Sequence, residues 1–210
     1  EVIQQPRRNA QPIGRIVEIL GDYTAPGMEI EIALRKHDLP YKFTRKVEKF
    51  SAKLPKRVLK KDLSGREDIC HLPLVTIDGE TARDFDDAVY CEREGKGYKL
   101  YVAIADVSHY VIPDTKLDEE AYERATSVYL VDRVIPMLPE VLSNNICSLK
   151  PNVDRLAYSV LFEMDEKANL IDYSIHKTVI HSNVRFTYQT AQNVIDNKKG
   201  ALDIELLLLD

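Results

Sequence analysis

Five acidic side chains crowd into ten residues, Asp78-Gly-Glu-Thr-Ala-Arg-Asp84-Phe-Asp86-Asp87, between the apolar runs Leu74-Val-Thr-Ile and Ala88-Val-Tyr-Cys. Runs of that length and type read as strands, and they pin the acidic segment to one end of a sheet. Carboxylates held together repel, by roughly 4 kcal/mol for a pair ~4 Å apart at an effective dielectric of ~20. The chain must therefore splay the loop into water, protonate a member, or neutralise the cluster with a cation. Oxygen ligands suit Mg²⁺, Mn²⁺ or Ca²⁺ better than zinc. Mg²⁺ commonly takes one or two carboxylates and completes its shell with water and phosphate, so such a cluster fits phosphoryl transfer. The competing reading is a solvated turn, since Asp and Gly favour turns. An EF-hand is excluded, because its alternating ligands, central glycine and distal Glu are missing. In an extended chain Asp84 and Asp86 share one side and Asp87 faces the other, while a bend at Gly79 would return Asp78 toward them.

The 210 residues are 44% hydrophobic, enough for a buried core and too much for a disordered chain. The longest apolar run, Leu100 to Ala105, is far too short to span a bilayer, and the first residues lack a secretory stretch. No membrane partner and a cytoplasmic location are expected. Cys70, Cys91 and Cys147 are odd in number and far apart, which suits reduced thiols. The net charge of −5 argues against a nucleic-acid binder, but it averages two opposed fields. Between Lys42 and Lys61 stand nine Lys or Arg and one acid, Glu48; between Asp78 and Asp87 stand five acids and one Arg.

Alternation predicts strands over Gly14–Leu20 and Met28–Leu34, the edge of a small β-barrel completed by upstream residues. Phe43, Val47, Phe50, Leu54 and Val58 are spaced for an amphipathic helix, or two short ones, broken near Pro55. Further strands are predicted at Tyr98–Ala105 and, as a hairpin, at Ala157–Met164 and Leu170–Ile180. Helices are predicted after a Thr115/Asp118 capping pair, with a period running to Val128, and over Thr187–Asn197 with Gly200 near its end. The fold class is α+β, a largely antiparallel or mixed sheet with packed helices. The organisation expected is 1–40, the end of a cold-shock or OB-like barrel; 41–65, a basic linker; and 66–210, a catalytic domain. Both ends read as cut, the last residues Asp203–Asp210 as the opening turns of a helix.

Longer blocks carry a resemblance. Leu72-Pro-Leu-Val-Thr-Ile-Asp-Gly-Glu-Thr-Ala-Arg-Asp-Phe-Asp-Asp-Ala-Val, Val102-Ala-Ile-Ala-Asp-Val-Ser-His-Tyr-Val, Thr126-Ser-Val-Tyr, Val134-Ile-Pro-Met-Leu-Pro-Glu-Val-Leu-Ser-Asn, Cys147-Ser-Leu-Lys-Pro and Asp154-Arg-Leu occur in one order. Together, from about Asp68 to Tyr188, they resemble the RNB family of exoribonucleases, in particular its ribonuclease R branch. The first ~40 residues resemble the end of the cold-shock-type barrel that precedes the family's catalytic domain.

That resemblance implies a processive 3′-to-5′ hydrolytic exonuclease on single-stranded RNA, requiring Mg²⁺ with Mn²⁺ as a substitute and releasing nucleoside 5′-monophosphates. Asp78, Asp84, Asp86 and Asp87 fall on the four catalytic aspartates. Asp78, Asp86 and Asp87 are the implied metal ligands, with Asp84 supporting them. Tyr129 falls on the residue that packs against the terminal base; without the family it reads as a core tyrosine. Pro136-Met-Leu-Pro139 is a stiff loop that in the family shapes the cleft, and His109 reads as structural. The basic stretch either tracks phosphates or is a solvated linker. The partner implied is the 3′ end of single-stranded RNA, with no obligate protein partner. The family's phosphate-clamping arginine and S1-type domain lie outside these residues, so the isolated chain is expected to be weak or inactive. A non-catalytic RNA-binding module with the same fold is the alternative.

Overall fold

The computed structural model describes residues 1–8 and 10–197. Strands β1 (Val2–Gln4) and β2 (Ile13–Gly14) pair antiparallel. Beyond Arg15, whose backbone bonds Glu1, the strand predicted to Leu20 is unpaired, leaving Ile16 85% and Ile19 87% exposed. Among the described residues the first 44 form no closed barrel.

The strand predicted over 28–34 is instead helix α1 (Met28–Lys36). Its acids, Glu29 and Glu31, lie in the first turn and its bases, Arg35 and Lys36, in the last, which complements the helix dipole. Glu31 also meets Arg35 at 2.7 Å across one turn, and burying Met28 and Leu34 completes the helix's apolar contact. These pairings need the helical repeat, and they override the two-residue alternation.

The basic stretch yields α2 (Arg45–Ser51), capped by Thr44, and a 3₁₀ turn at Lys60–Leu63. Phe43, Val47, Leu54 and Val58 face the main core as their spacing predicts, while Phe50 is largely outside it. A short strand, β3 (Glu67–Asp68), follows.

The segment from residue 66 onward is organised by β4 (Val75–Asp78), β5 (Asp87–Glu94) and β6 (Gly97–Ala105). Gly95 takes a left-handed φ of 61° in the turn between β5 and β6, and a side chain at Gly97 would lie 2.1 Å from the Met164 carbonyl oxygen. Helix α3 (Lys116–Arg124) starts at Thr115, whose hydroxyl accepts from the Asp118 amide at 3.3 Å; Asp118 accepts in return from Asp114. The helix ends at Arg124, where Ala125 has a φ of 59°, so Val128 belongs to the next element and not to the helix.

That element is a ribbon of β7 (Val128–Tyr129) and β8 (Val134–Ile135), followed by a π-helical turn at Leu142–Ile146 that no sequence pattern announced. The long hairpin β9 (Asp154–Met164) and β10 (Leu170–His181) matches the prediction, as does α4 (Tyr188–Asn197), which follows β11 (Val184–Thr187). Gly200 and the helix expected at 203–210 lie outside the described residues.

The main sheet runs β11-β4-β5-β6-β9-β10-β3; it is antiparallel in the middle and parallel where β11 meets β4 and β10 meets β3. One face carries the core, including Leu74, Ala88, Ala103, Leu117, Leu142, Leu149 and Ile180, each 2% exposed or less. Each buried leucine contributes ~2–3 kcal/mol. On the other side α4 covers only the β4–β11 end, through Phe186 and Ala191, and Tyr173 and Ile175 stay open. The three cysteines are unpaired, and burial pushes the Cys147 thiol to about 12. No described helix is long and apolar enough to cross a membrane.

Candidate active site

The acidic segment connects two neighbouring strands at one end of the sheet. Asp78 is the last residue of β4 and Asp87 the first of β5, with Asp84 and Asp86 in the loop between. Only Val75 and Val89 pair between these strands, so the chain diverges beyond them and opens the loop.

Backbone and side-chain bonds fix its far half. The buried Ser148 hydroxyl accepts from the Phe85 amide and donates to the Arg83 carbonyl, both at 3.0 Å. Leu149 donates to the Phe85 carbonyl at 2.8 Å and Ala105 to that of Asp86 at 2.9 Å. Phe85 is buried under the loop and acts as its apolar anchor. Ser148→Ala leaves the Phe85 amide and Arg83 carbonyl without partners; we expect ~2 kcal/mol of destabilisation in urea unfolding, with the loop's amides losing hydrogen-exchange protection first.

The near half is held by Arg185 on β11. Its Nη2 donates to the carbonyls of Gly79 and, at 3.0 Å, Glu80, and its guanidinium sits 5.5 Å from the Phe85 ring centre. Arg185 was not foreseen. It lies a hundred residues downstream, and only the parallel β4–β11 pairing, with Thr187 opposite Asp78, brings it here.

The electrostatics are those of an unneutralised anionic site. Burial raises the Asp78 carboxyl above its ordinary value; the neighbouring Thr76 hydroxyl and the Arg185 charge oppose the rise, and repulsion from Asp87 and Asp84 adds to it. Asp86 opens to solvent on one side but is hemmed in by protein on the other. That desolvation raises its carboxyl, and Asp84, Asp87 and Asp78 push it further. Asp78 Oδ2 is buried without a hydrogen-bond partner, as is the Thr76 hydroxyl on the same strand. A carboxylate oxygen without a hydrogen-bond partner, repelled by Asp87 and Asp84, is the arrangement a divalent cation relieves. Among the described residues no three acidic, His or Cys side chains enclose an ion by themselves. A site completed by water and phosphate does not need them to.

Tyr129 is on the separate β7–β8 ribbon, 71% exposed and therefore not the core tyrosine that the residues alone suggested. The Pro136–Pro139 loop beside it is tied down: the Pro136 carbonyl accepts from Arg124 at 3.1 Å, the Met137 amide donates to Ser127, and Pro139 is buried. His109 packs edge-on against Tyr110 with Nε2 3.3 Å from Asp62, in a buried polar cluster with Arg66 and Asp106.

A mixed sheet of this kind, with its acidic loop fixed at one end, superposes on the sheet of solved RNase R structures. Residues 66–207 match the RNB domain, residues 1–44 match the cold shock domain, and the chain belongs to the RNB family. Ribonuclease R of Escherichia coli K12 is 50% identical over 196 residues, 93% of this chain and 24% of that protein. Ribonuclease R of Vibrio cholerae is 48% identical over 197 residues, again 93% and 24%. Mycoplasma genitalium RNase R, solved in complex with double-stranded RNA, superposes with a TM-score of 0.91 at 29% identity, over 99% of this chain and 37% of that one. Yeast Ssd1, described as a pseudonuclease, shares the fold alone, with a TM-score of 0.75 at 16% identity over 97% of this chain and 26% of its own. The chain spans about a quarter of the length of the curated relatives it matches.

Proposed function

We propose that this chain supplies the carboxylate half of a 3′-to-5′ exoribonuclease site that hydrolyses single-stranded RNA to nucleoside 5′-monophosphates. The observation that carries the reading is the fixed loop holding four aspartates, one with an orphaned buried oxygen. Asp78, Asp86 and Asp87 would hold Mg²⁺, or Mn²⁺ in its place. Such an ion, when bound, supplies an acidified water and charge neutralisation at phosphorus.

The chain's own residues do the rest. Asp78 is set by the end of β4 and Asp87 by the start of β5, so their spacing is rigid, while Asp84 and Asp86 follow the Ser148 bonds. Arg185 keeps the Gly79 turn closed, and its charge partly offsets the crowding at Asp78. Tyr129 offers an exposed ring for the terminal base, a contact that tolerates every base because each has a π-face. Tyr129→Ala should therefore raise the RNA Kd about 5- to 150-fold, the equivalent of ~1–3 kcal/mol of stacking, and leave the melting temperature unchanged.

The test uses a full-length protein of the relatives' size that carries this chain, given labelled single-stranded RNA and Mg²⁺. Mononucleotide release lost in Asp86→Asn supports the enzyme. Tight RNA binding without release by the unsubstituted protein would instead establish the non-catalytic module, and the pseudonuclease fold neighbour makes that a fair alternative.

A further inference from the structure

The same end of the sheet carries a second electrostatic feature, of opposite sign. A cavity of about 560 Å³ is lined by Lys56, Arg57, Lys150 and Arg155, with Asp154 and His181. Asp154 also stands in the lining, its carboxylate 2.8 Å from His181 Nδ1, but it is one acid against four cations. Arg155 is only 4% exposed; its Nε donates to the Ser148 carbonyl at 2.8 Å and its Nη1 to the Asp154 carbonyl at 2.9 Å. Among the described residues none of the four cations forms an ion pair with a carboxylate. A buried guanidinium satisfied only by carbonyls keeps its full charge in a desolvated place, which is costly unless an anion comes to it.

Its location narrows the anion. Ser148 links the two features, its hydroxyl bonded to the acidic loop and its carbonyl to Arg155. Two strand spacings, about 10 Å, separate β5, which begins at Asp87, from β9, which begins at Asp154. His181 is the one ring in the lining and is held by Asp154, so the cavity offers little for a base to stack on and much for a phosphate.

We propose that this cavity is a phosphate subsite for the backbone of single-stranded RNA beside the carboxylate loop, with Arg155 as its buried anchor and Lys56, Arg57 and Lys150 as outer contacts. It rests on the reading of the chain as acting on RNA. Contact with phosphate alone makes the subsite indifferent to sequence, and it holds a phosphate other than the scissile one.

The experiment measures anisotropy of fluorescent oligouridylate with the 210-residue chain in EDTA across a salt series. The variant Lys56→Ala/Arg57→Ala/Lys150→Ala is chosen because it leaves the buried Arg155 and the fold intact; circular dichroism checks this. The expected result is at least tenfold weaker binding and a salt slope shallower by about 2, at ~0.7 per lost phosphate contact. Millimolar inorganic phosphate and polyglutamate should compete poorly. Wild-type affinity and slope in the triple variant, or no RNA binding by the unsubstituted chain, overturns the subsite. Full displacement by phosphate makes it a small-anion site, and full displacement by polyglutamate a general acidic-polymer site; either overturns the assignment to RNA. Binding through these cations with no cleavage by the full-length protein would defeat the catalytic reading and leave the subsite standing.

Discussion

Asp86→Asn is expected to lower turnover by about three orders of magnitude in the full-length protein while making the metal-free fold more stable. The loss corresponds to ~4 kcal/mol of transition-state stabilisation, the scale of removing one oxygen ligand that helps neutralise a phosphoryl group. The gain in stability follows from the raised carboxyls. Asp78 and Asp86 both titrate above their ordinary values in the folded chain. The metal-free fold is therefore favoured with them protonated, and loses stability as pH rises through those raised values. Asparagine at position 86 removes one charge from that repulsion. Mg²⁺ should reverse the trend, so its stabilising effect should be larger at neutral pH than at acid pH. Rapid-quench kinetics and melting curves with and without Mg²⁺ measure both halves. Turnover within tenfold of wild type, or a metal-free melting temperature that falls, would show that the loop does not serve as an ion site.

The second large effect is structural. Arg66 and Asp106 form an ion pair with side chains 5% and 2% exposed, and Asp106 also accepts from Ser108 at 2.7 Å and from the His109 amide at 3.1 Å. Burial alone would raise the Asp106 carboxyl; hydrogen bonds from Arg66 and Ser108 and the Arg66 charge outweigh it, and the net direction is down. Its contribution is complete above the ordinary value of 3.8 and is lost as pH falls through the lower native one. Arg66→Ala leaves that carboxylate buried and unpaired, which costs ~3–5 kcal/mol. For a chain of this size the melting temperature should fall by about 6–20 °C. An apolar pair, Arg66→Met with Asp106→Leu, should recover much of the loss. A single variant melting within a degree of wild type would show that the pair holds nothing together.

The central strands were legible because their code is local. β5, β6, β9 and β10 each carry apolar runs rich in β-branched and aromatic residues, bounded by the Gly95-Lys-Gly and Glu166-Lys-Ala-Asn turns. The Thr115 cap was legible for the same reason. α1 was misread because Met28, Ile30, Ile32 and Leu34 alternate as a strand would; the better signal was Gly27 followed by early acids and late bases. The four aspartates were visible as a cluster, but the way they are held was not. Ser148 and Arg185 reach the loop across 63 to 106 residues of chain, and two- and four-residue strands such as β3 and β11 are too short to carry a period. Arg155 stayed hidden too, since nothing in its neighbours tells a buried guanidinium from a surface one.

The parallel partnership of β4 with β11 has a consequence for biosynthesis. Until residue 187 has left the ribosome, β4 presents an open edge and Arg185 is absent from the Gly79 turn. At ~5–20 residues per second that interval lasts roughly 5–20 s. Throughout it a nascent chain bears the four-aspartate loop without the strut that shapes it. Late arrival of a distant strand thus works as a timer: the acidic turn takes its final form only once most of the sheet is in place.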